Sequence, residues 1–420
     1  MTDSRIRIDA DLLIPGRSEP MPAASVILED GRISYVGRTA DAPTAPTIVR
    51  VPAVMPGIWD CHNHYFGMPV PNIEKLMSSR PAVLVARSVR DLAAELNAGI
   101  TSVREVGGYG VDLRIAIDEG AIVGPTIYGA SRPLSMTGGH GDIHPFPLET
   151  VDEVAASIPF VTFCDGVDAC LRGVRLQLRA GARIIKVHAS GGVLSEIDDP
   201  LHQQLSELEL RTIVEEAARS EVSVAAHCHG KAGMLAALRA GVRTIEHGTY
   251  LDDEIAELML EKDAVLVPTR FVVERLLGMK ATLAPYSYEK AIVVAGKHEA
   301  AIQTAIKAGV KIATGTDLFV SGSMHGQNSL EIHHLIDLGM SPLGAIEAGT
   351  ANAPLTLGKQ APKSGRLEVG FDADVIALNA NPLEDLSIWG AAARVTHVWK
   401  GGRPFKQPVA AAAASVAAAS

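Results

Sequence analysis

From Val51 onward the chain alternates short apolar runs with stretches of helical periodicity, several of them closed by glycine. Val51 to Trp59 reads as a strand and Pro81 to Asn97 as the first helix, with Pro81 suited to a first turn and Gly99 to a stop. Further strands are predicted at Thr101 to Val106, Thr126 to Ala130, Ala182 to Ala189, Val222 to Ala226, Val242 to Glu246, Ala264 to Pro268 and Val310 to Thr314. Between them fall helices at Asp112 to Glu119, Val167 to Ala180, Ala232 to Ala240, Asp253 to Glu261 and Tyr288 to Ala308. One more runs to about Arg219 behind the capping-box pair Ser206 and Glu209. Eight strands separated by helices predict an α/β protein of the (β/α)8 TIM-barrel class, spanning residues 54–357.

The two ends differ from that rhythm. Residues 1–53 and 358–408 show strand-like alternation rich in Val, Ile, Gly and Pro, and predict one small composite β-sandwich domain built from both termini. Residues 409–420 are almost all alanine and serine and are expected to be a tail.

Composition narrows the class. At 420 residues, with 47% hydrophobic and 20% charged positions and 39 glycines, the chain is expected to be a globular enzyme with many tight turns. A net charge of -10 leaves no basic stripe for a phosphate backbone, so no nucleic-acid partner is expected. Cys61 and Cys228 lie inside histidine motifs and Cys164 and Cys170 sit close together, which predicts four free thiols. The amino-terminal stretch has neither a basic segment followed by an apolar one nor a run able to cross a bilayer. A cytoplasmic protein with no membrane partner is expected, although a chain trimmed of a signal peptide would read the same way.

The candidate chemistry gathers at the ends of the apolar runs. In His62-Asn63-His64, alternate side chains of an extended segment face the same way, so both imidazoles can grip one ion. The spacing returns in His227-Cys228-His229, where spacing alone leaves open which ring is a ligand and which a substrate contact. His247 follows another run and equally suits a capping or core role, and Asp317 equally suits an N-cap. Lys186 stands in the apolar run Arg183 to His188, where burial favours the neutral amine. A neutral amine reacts with carbon dioxide to give a carbamate, an anionic oxygen bridge for two divalent cations. Two ions bring roughly +4, and carbamate, Asp317 and hydroxide roughly -3, which leaves about +1.

These motifs, with Ile185 to Gly192, Ala226 to Gly230, Ile245 to Asp253 and Thr314 to Asp317, resemble the binuclear metal-dependent amidohydrolase superfamily across nearly the whole chain. Within it the chain is most similar to the peptidase-like branch of Xaa-Pro dipeptidases, zinc carboxypeptidases and ochratoxin-hydrolysing amidases. The resemblance implies that His62, His64 and Asp317 hold one metal, His227 and His247 a second, and carbamylated Lys186 bridges them. It further implies two divalent ions, zinc ahead of manganese and cobalt, with His140 and His229 as substrate contacts and Asp317 and Lys186 as catalytic groups. The implied activity is hydrolysis of the amide bond of an N-acyl amino acid or dipeptide with an apolar C-terminal residue, ochratoxin A to ochratoxin alpha and phenylalanine among them. The implied partners are a small-molecule or dipeptide substrate and further copies of the chain in a homo-oligomer. A cyclic-amide hydrolase or deaminase on the same barrel is the alternative, and Lys186 speaks against a deaminase, which generally does without a bridging lysine. No role attaches to His188, two residues beyond Lys186. Gly322 to Gly326 does not centre a serine in a nucleophile elbow, so a serine hydrolase is not expected.

Overall fold

The computed structural model describes residues 5–322 and 324–408, so the alanine-rich tail expected at 409–420 lies outside the described residues. Both termini contribute to one seven-stranded sheet, in the order Arg403–Lys406, Val395–Lys400, Val375–Leu378, Thr47–Pro56, Ile6–Leu13, Met21–Glu29 and Arg32–Arg38. Its ladders are antiparallel except where Ile6–Leu13 runs parallel to Thr47–Pro56. The hairpin between Met21–Glu29 and Arg32–Arg38 turns on Asp30 and Gly31, both at positive φ, the geometry that two-residue hairpins favour.

Parallel strands form two further sheets. One is ordered Leu318–Val320, Ile58–Met68, Ile100–Glu105, Thr126–Gly129. The other is ordered Lys311–Ile312, Val265–Val267, Thr244–His247, Ser223–Cys228, Ile184–His188, Leu134–Ser135, Thr162–Phe163. Ile184–His188 and Thr244–His247 are buried along their whole length, as expected of parallel strands covered on both faces. Backbone bonds also join the two sheets: Cys61 N–H donates to Thr314 O (2.8 Å) and Arg183 N–H to Gly129 O (2.9 Å).

Helices Pro81–Asn97, Val167–Ala180 and Asp253–Glu261 carry the predicted bounds. Each ending has a local cause. Pro81 opens the first, Gly181 closes the second at a left-handed φ of 96°, and the Asp252 side chain caps the third by accepting from Ile255 N–H. Ser206 and Glu209 form the reciprocal capping box ahead of Glu207–Ala218. Four helices had no prediction: Leu148–Ala155, Arg270–Leu277, Leu330–Asp337 and Pro342–Ala348.

One predicted strand is divided. Val51 to Trp59 crosses from Thr47–Pro56, in the terminal sheet, to Ile58–Met68, in a parallel one. Gly57 alone separates them; a side-chain carbon there would lie 2.1 Å from Thr101 Oγ1, so the crossing has room only for glycine. The terminal-sheet strand therefore continues to Pro56, past the expected boundary at residue 53. All four cysteines are free and buried. Among the described residues, no helix is long and apolar enough to cross a membrane.

Candidate active site

The side chains singled out in the sequence meet at one end of the parallel strands, around a single cavity. His62 and His64 project from Ile58–Met68 on the same side, while the Asn63 amide turns away and donates to Glu95 Oε1 at 2.6 Å. Asp317 Oδ1 lies 3.2 Å from His64 Nε2 and 3.5 Å from His62 Nε2. On the facing strands, His227, His229 and His247 form a second group, and within each group of three the ligand atoms lie within 4.8 Å of one another. Lys186, 2% exposed, stands beside them with Nζ 3.3 Å from His62 Nε2. Among the described residues it makes no ion pair with a carboxylate. His140 stacks on His227 with ring centroids 4.2 Å apart, and His188 lies edge-on to both, 4.9 Å from His140 and 5.5 Å from His227. Asp317 and His247 hold φ of 56° and 67°, a left-handed backbone that is costly for side chains of their size and that collects at functional sites.

A layer of partners fixes these rings from behind. His62 Nδ1 is hydrogen bonded to Glu246 Oε2 (2.7 Å), His64 Nδ1 to Gly107 O (2.8 Å), His247 Nδ1 to Thr269 Oγ1 (2.7 Å) and His229 Nδ1 to Thr249 Oγ1 (2.7 Å). Glu246 in turn accepts from Arg104 Nη2 at 2.7 Å on both oxygens, and Arg104 and Glu246 are both fully buried. His140 Nδ1 is bound to Ser195 Oγ at 2.9 Å, on a loop that Lys290 staples through the carbonyls of Gly192, Ser195 and Asp198.

Sequence reasoning missed this layer. A glutamate and an arginine inside strand-like runs are the signal that each strand buries a charge in need of a partner, though not which partner it takes.

Electrostatics keep the rings neutral. Burial pushes His62 down to about 4 and His229 to about 3, and burial together with the crowding of other titratable rings, which opposes adding a proton, holds His227 and His247 well below the usual imidazole range. Burial also lowers Lys186, to about 8. For Asp317 burial acts upward, but His62, His64 and Lys186 outweigh it and keep the carboxyl below its ordinary range. Neutral imidazoles with one nitrogen engaged behind, a carboxylate in its anionic form and a poorly solvated amine fit a site for divalent metal. Beyond the polar floor, the cavity opens between apolar walls that include Phe66, Phe160, Leu194, Val272, Leu276 and Phe319, enclosing about 1080 Å³ with its mouth.

The Amidohydrolase family matches residues 53–405, which take in every one of these side chains. The chain belongs to the amidohydrolase family. It is 44% identical to ochratoxinase from Aspergillus niger over 419 residues, covering 96% of this chain and 86% of that protein. The crystal structure of the A. niger enzyme superposes with a TM-score of 0.89 over 96% of each chain. A prolidase complexed with N-methylphosphonate-L-proline is 32% identical, with a TM-score of 0.88 over 96% of this chain and all of the other. A Xaa-Pro dipeptidase with methionine bound in its active site is 28% identical, with a TM-score of 0.86 over the same shares. This amidohydrolase thus has the mixed α/β fold of its family and is a hydrolytic enzyme acting on amide bonds.

Proposed function

We propose that this enzyme cleaves the amide bond between an acyl group and an apolar C-terminal amino acid, in N-acyl amino acids or dipeptides, with ochratoxin A to ochratoxin alpha and phenylalanine as the leading case. The observation that carries this reading is the convergence of two three-donor groups and a buried lysine at the floor of one apolar-walled cavity. The likeness to ochratoxinase and to prolidase-type enzymes supports it.

In this reading His62, His64 and Asp317 would hold one divalent ion and His227 and His247 a second, with zinc the expected metal. Lys186 would serve both as a carbamate, its neutral Nζ forming an N–C bond with carbon dioxide and giving up a proton. What favours His227 over His229 as ligand is the family motif, and His229 and His140 then face the substrate. When bound, such ions polarise a carbonyl and acidify water. Asp317, held beside His62 and His64, takes a proton and delivers it to the leaving nitrogen. The apolar walls accept the side chain and acyl group and exclude bulk water from the floor.

The same reading joins the two parallel sheets into one (β/α)8 barrel over residues 54–357, which the bonds from Cys61 to Thr314 and from Arg183 to Gly129 support. The amino-terminal segment, carried on to Pro56, and residues 358–408 are then the composite β domain, built on the one seven-stranded sheet.

The test is a product-resolved panel of N-acyl amino acids, dipeptides and cyclic amides, run before and after chelation. Cleavage of the first two groups that disappears on metal removal is expected. Activity that survives removal, or that is confined to cyclic amides, refutes the proposal.

A further inference from the structure

His188 lines the cavity, yet neither the metal reading nor the hydrogen bonding accounts for it. It follows Lys186 by two positions on Ile184–His188 and is 7% exposed. Its Nδ1 is buried with no hydrogen-bond partner. Gly141 covers that nitrogen: a side-chain carbon there would come within 3.1 Å of it. Nε2 has no partner among the described residues either, and it is the nitrogen left with access to the cavity.

The ring is badly placed for metal. Each three-donor group has its ligand atoms within 4.8 Å of one another, and His188 belongs to neither. Its hydrogen-bonding capacity is still unmet, and a buried polar group without a partner is costly. A buried N–H without an acceptor is rarer than a bare acceptor, so the proton is assigned to Nε2 and Nδ1 keeps its lone pair under Gly141. An N–H donor therefore faces the cavity and calls for an acceptor on the ligand. The lining contains no arginine and no lysine but Lys186, so an anion remote from the metal floor has only imidazole and hydroxyl donors to meet, His188 among them.

We propose that His188 Nε2–H, beside His140, is a seat for the free carboxylate of the substrate's C-terminal amino acid. This rests on the amide-hydrolase reading and adds a reason for that enzyme to prefer an unblocked C-terminus. Hydrogen bonds to a charged acceptor support a preference of roughly 10- to 100-fold.

Calorimetric titration of the metal-loaded enzyme with L-phenylalanine and with L-phenylalaninamide reads the seat without turnover. Wild type is expected to bind the acid at least about 10-fold more tightly, His188→Leu to bring the two within about 2-fold, and His188→Gln, which keeps an N–H donor, to fall between. Melting curves and metal content show whether each variant is folded and loaded; should His188→Leu fail either check, His188→Gln and His188→Asn decide. Equal binding of acid and amide by wild type overturns the proposal, as does an undiminished preference in the folded variants. Hydrolysis of the amide panel is followed in parallel. A preference lost on substitution, in an enzyme that cleaves no C-terminal amino acid, retains the carboxylate seat and rejects the hydrolase specificity instead.

Discussion

Replacing Glu246 with glutamine keeps the side chain's shape and removes the charge on which His62 and Arg104 both depend. The carboxylate accepts from Arg104 on both oxygens, is bound to His62 Nδ1 at 2.7 Å and takes the Thr244 hydroxyl on Oε1. Glutamine supplies one acceptor oxygen, and its NH2 must face either the imidazole or the guanidinium. Arg104, fully buried, retains only Cys61 O (2.6 Å) and Thr244 Oγ1 (2.9 Å) as assured partners. Leaving one member of a buried pair uncompensated costs about 3–5 kcal/mol, a large share of the roughly 5–15 kcal/mol that holds a domain together. If His62 holds a metal as proposed, loss of the acceptor behind it costs a further 10- to 100-fold or so in metal affinity or activity. Urea unfolding of the metal-free protein measures the first effect, and chelator competition with kcat/KM measures the second. The double variant Arg104→Met/Glu246→Gln should be less destabilised than the sum of its single changes, because neither charge is left alone. A Glu246→Gln protein within about 0.5 kcal/mol of wild type and with unchanged metal affinity refutes the argument.

Lys186→Ala is expected to lose activity and to regain part of it with short carboxylic acids; full activity without rescue rules out an essential carbamate. Gly192→Ala sets a methyl 2.1 Å from the His140 ring and should lower kcat/KM by about 10- to 100-fold while metal content holds, so unchanged kinetics would separate His140 from substrate. Burial acts downward on His325, but Glu95, at 2.8 Å, and Asp91 raise it above the usual imidazole range. A raised histidine stabilises the fold fully below its unfolded value of 6.5 and loses that contribution as pH climbs through the folded value. His325→Gln should therefore flatten the fall in metal-free stability as pH rises above about 6.5, and parallel wild-type and variant curves would disprove it.

Much of this site is legible in the sequence because each strand that brings a side chain to it is an apolar run that ends where a polar side chain begins. His62, Lys186, His227 and His247 sit at such ends, and the helices between them begin and stop on proline, capping and glycine chemistry that acts within a few residues. Long-range pairing leaves a weaker trace. Arg104 and Glu246 are 142 positions apart, and nothing local marks either as the other's partner. The strand at Lys311–Ile312 is two residues long, whereas the apolar run suggested five; past it, Thr314 N–H donates to Ala348 O rather than to a neighbouring strand. The run Val51 to Trp59 is continuous in hydropathy, so the change of sheet at Gly57 shows only in the steric demand of Thr101.

That crossing ties the two ends of the polypeptide to the chemistry. Val375–Leu378 zips along Thr47–Pro56, and five positions past Gly57 stands His62. A tag, tether or proteolytic nick that loosens this carboxyl-terminal ribbon would tug on the very segment that aims the first imidazole, and catalysis would falter although no cavity residue had been touched. Anyone immobilising the enzyme should therefore choose an attachment point away from that seam.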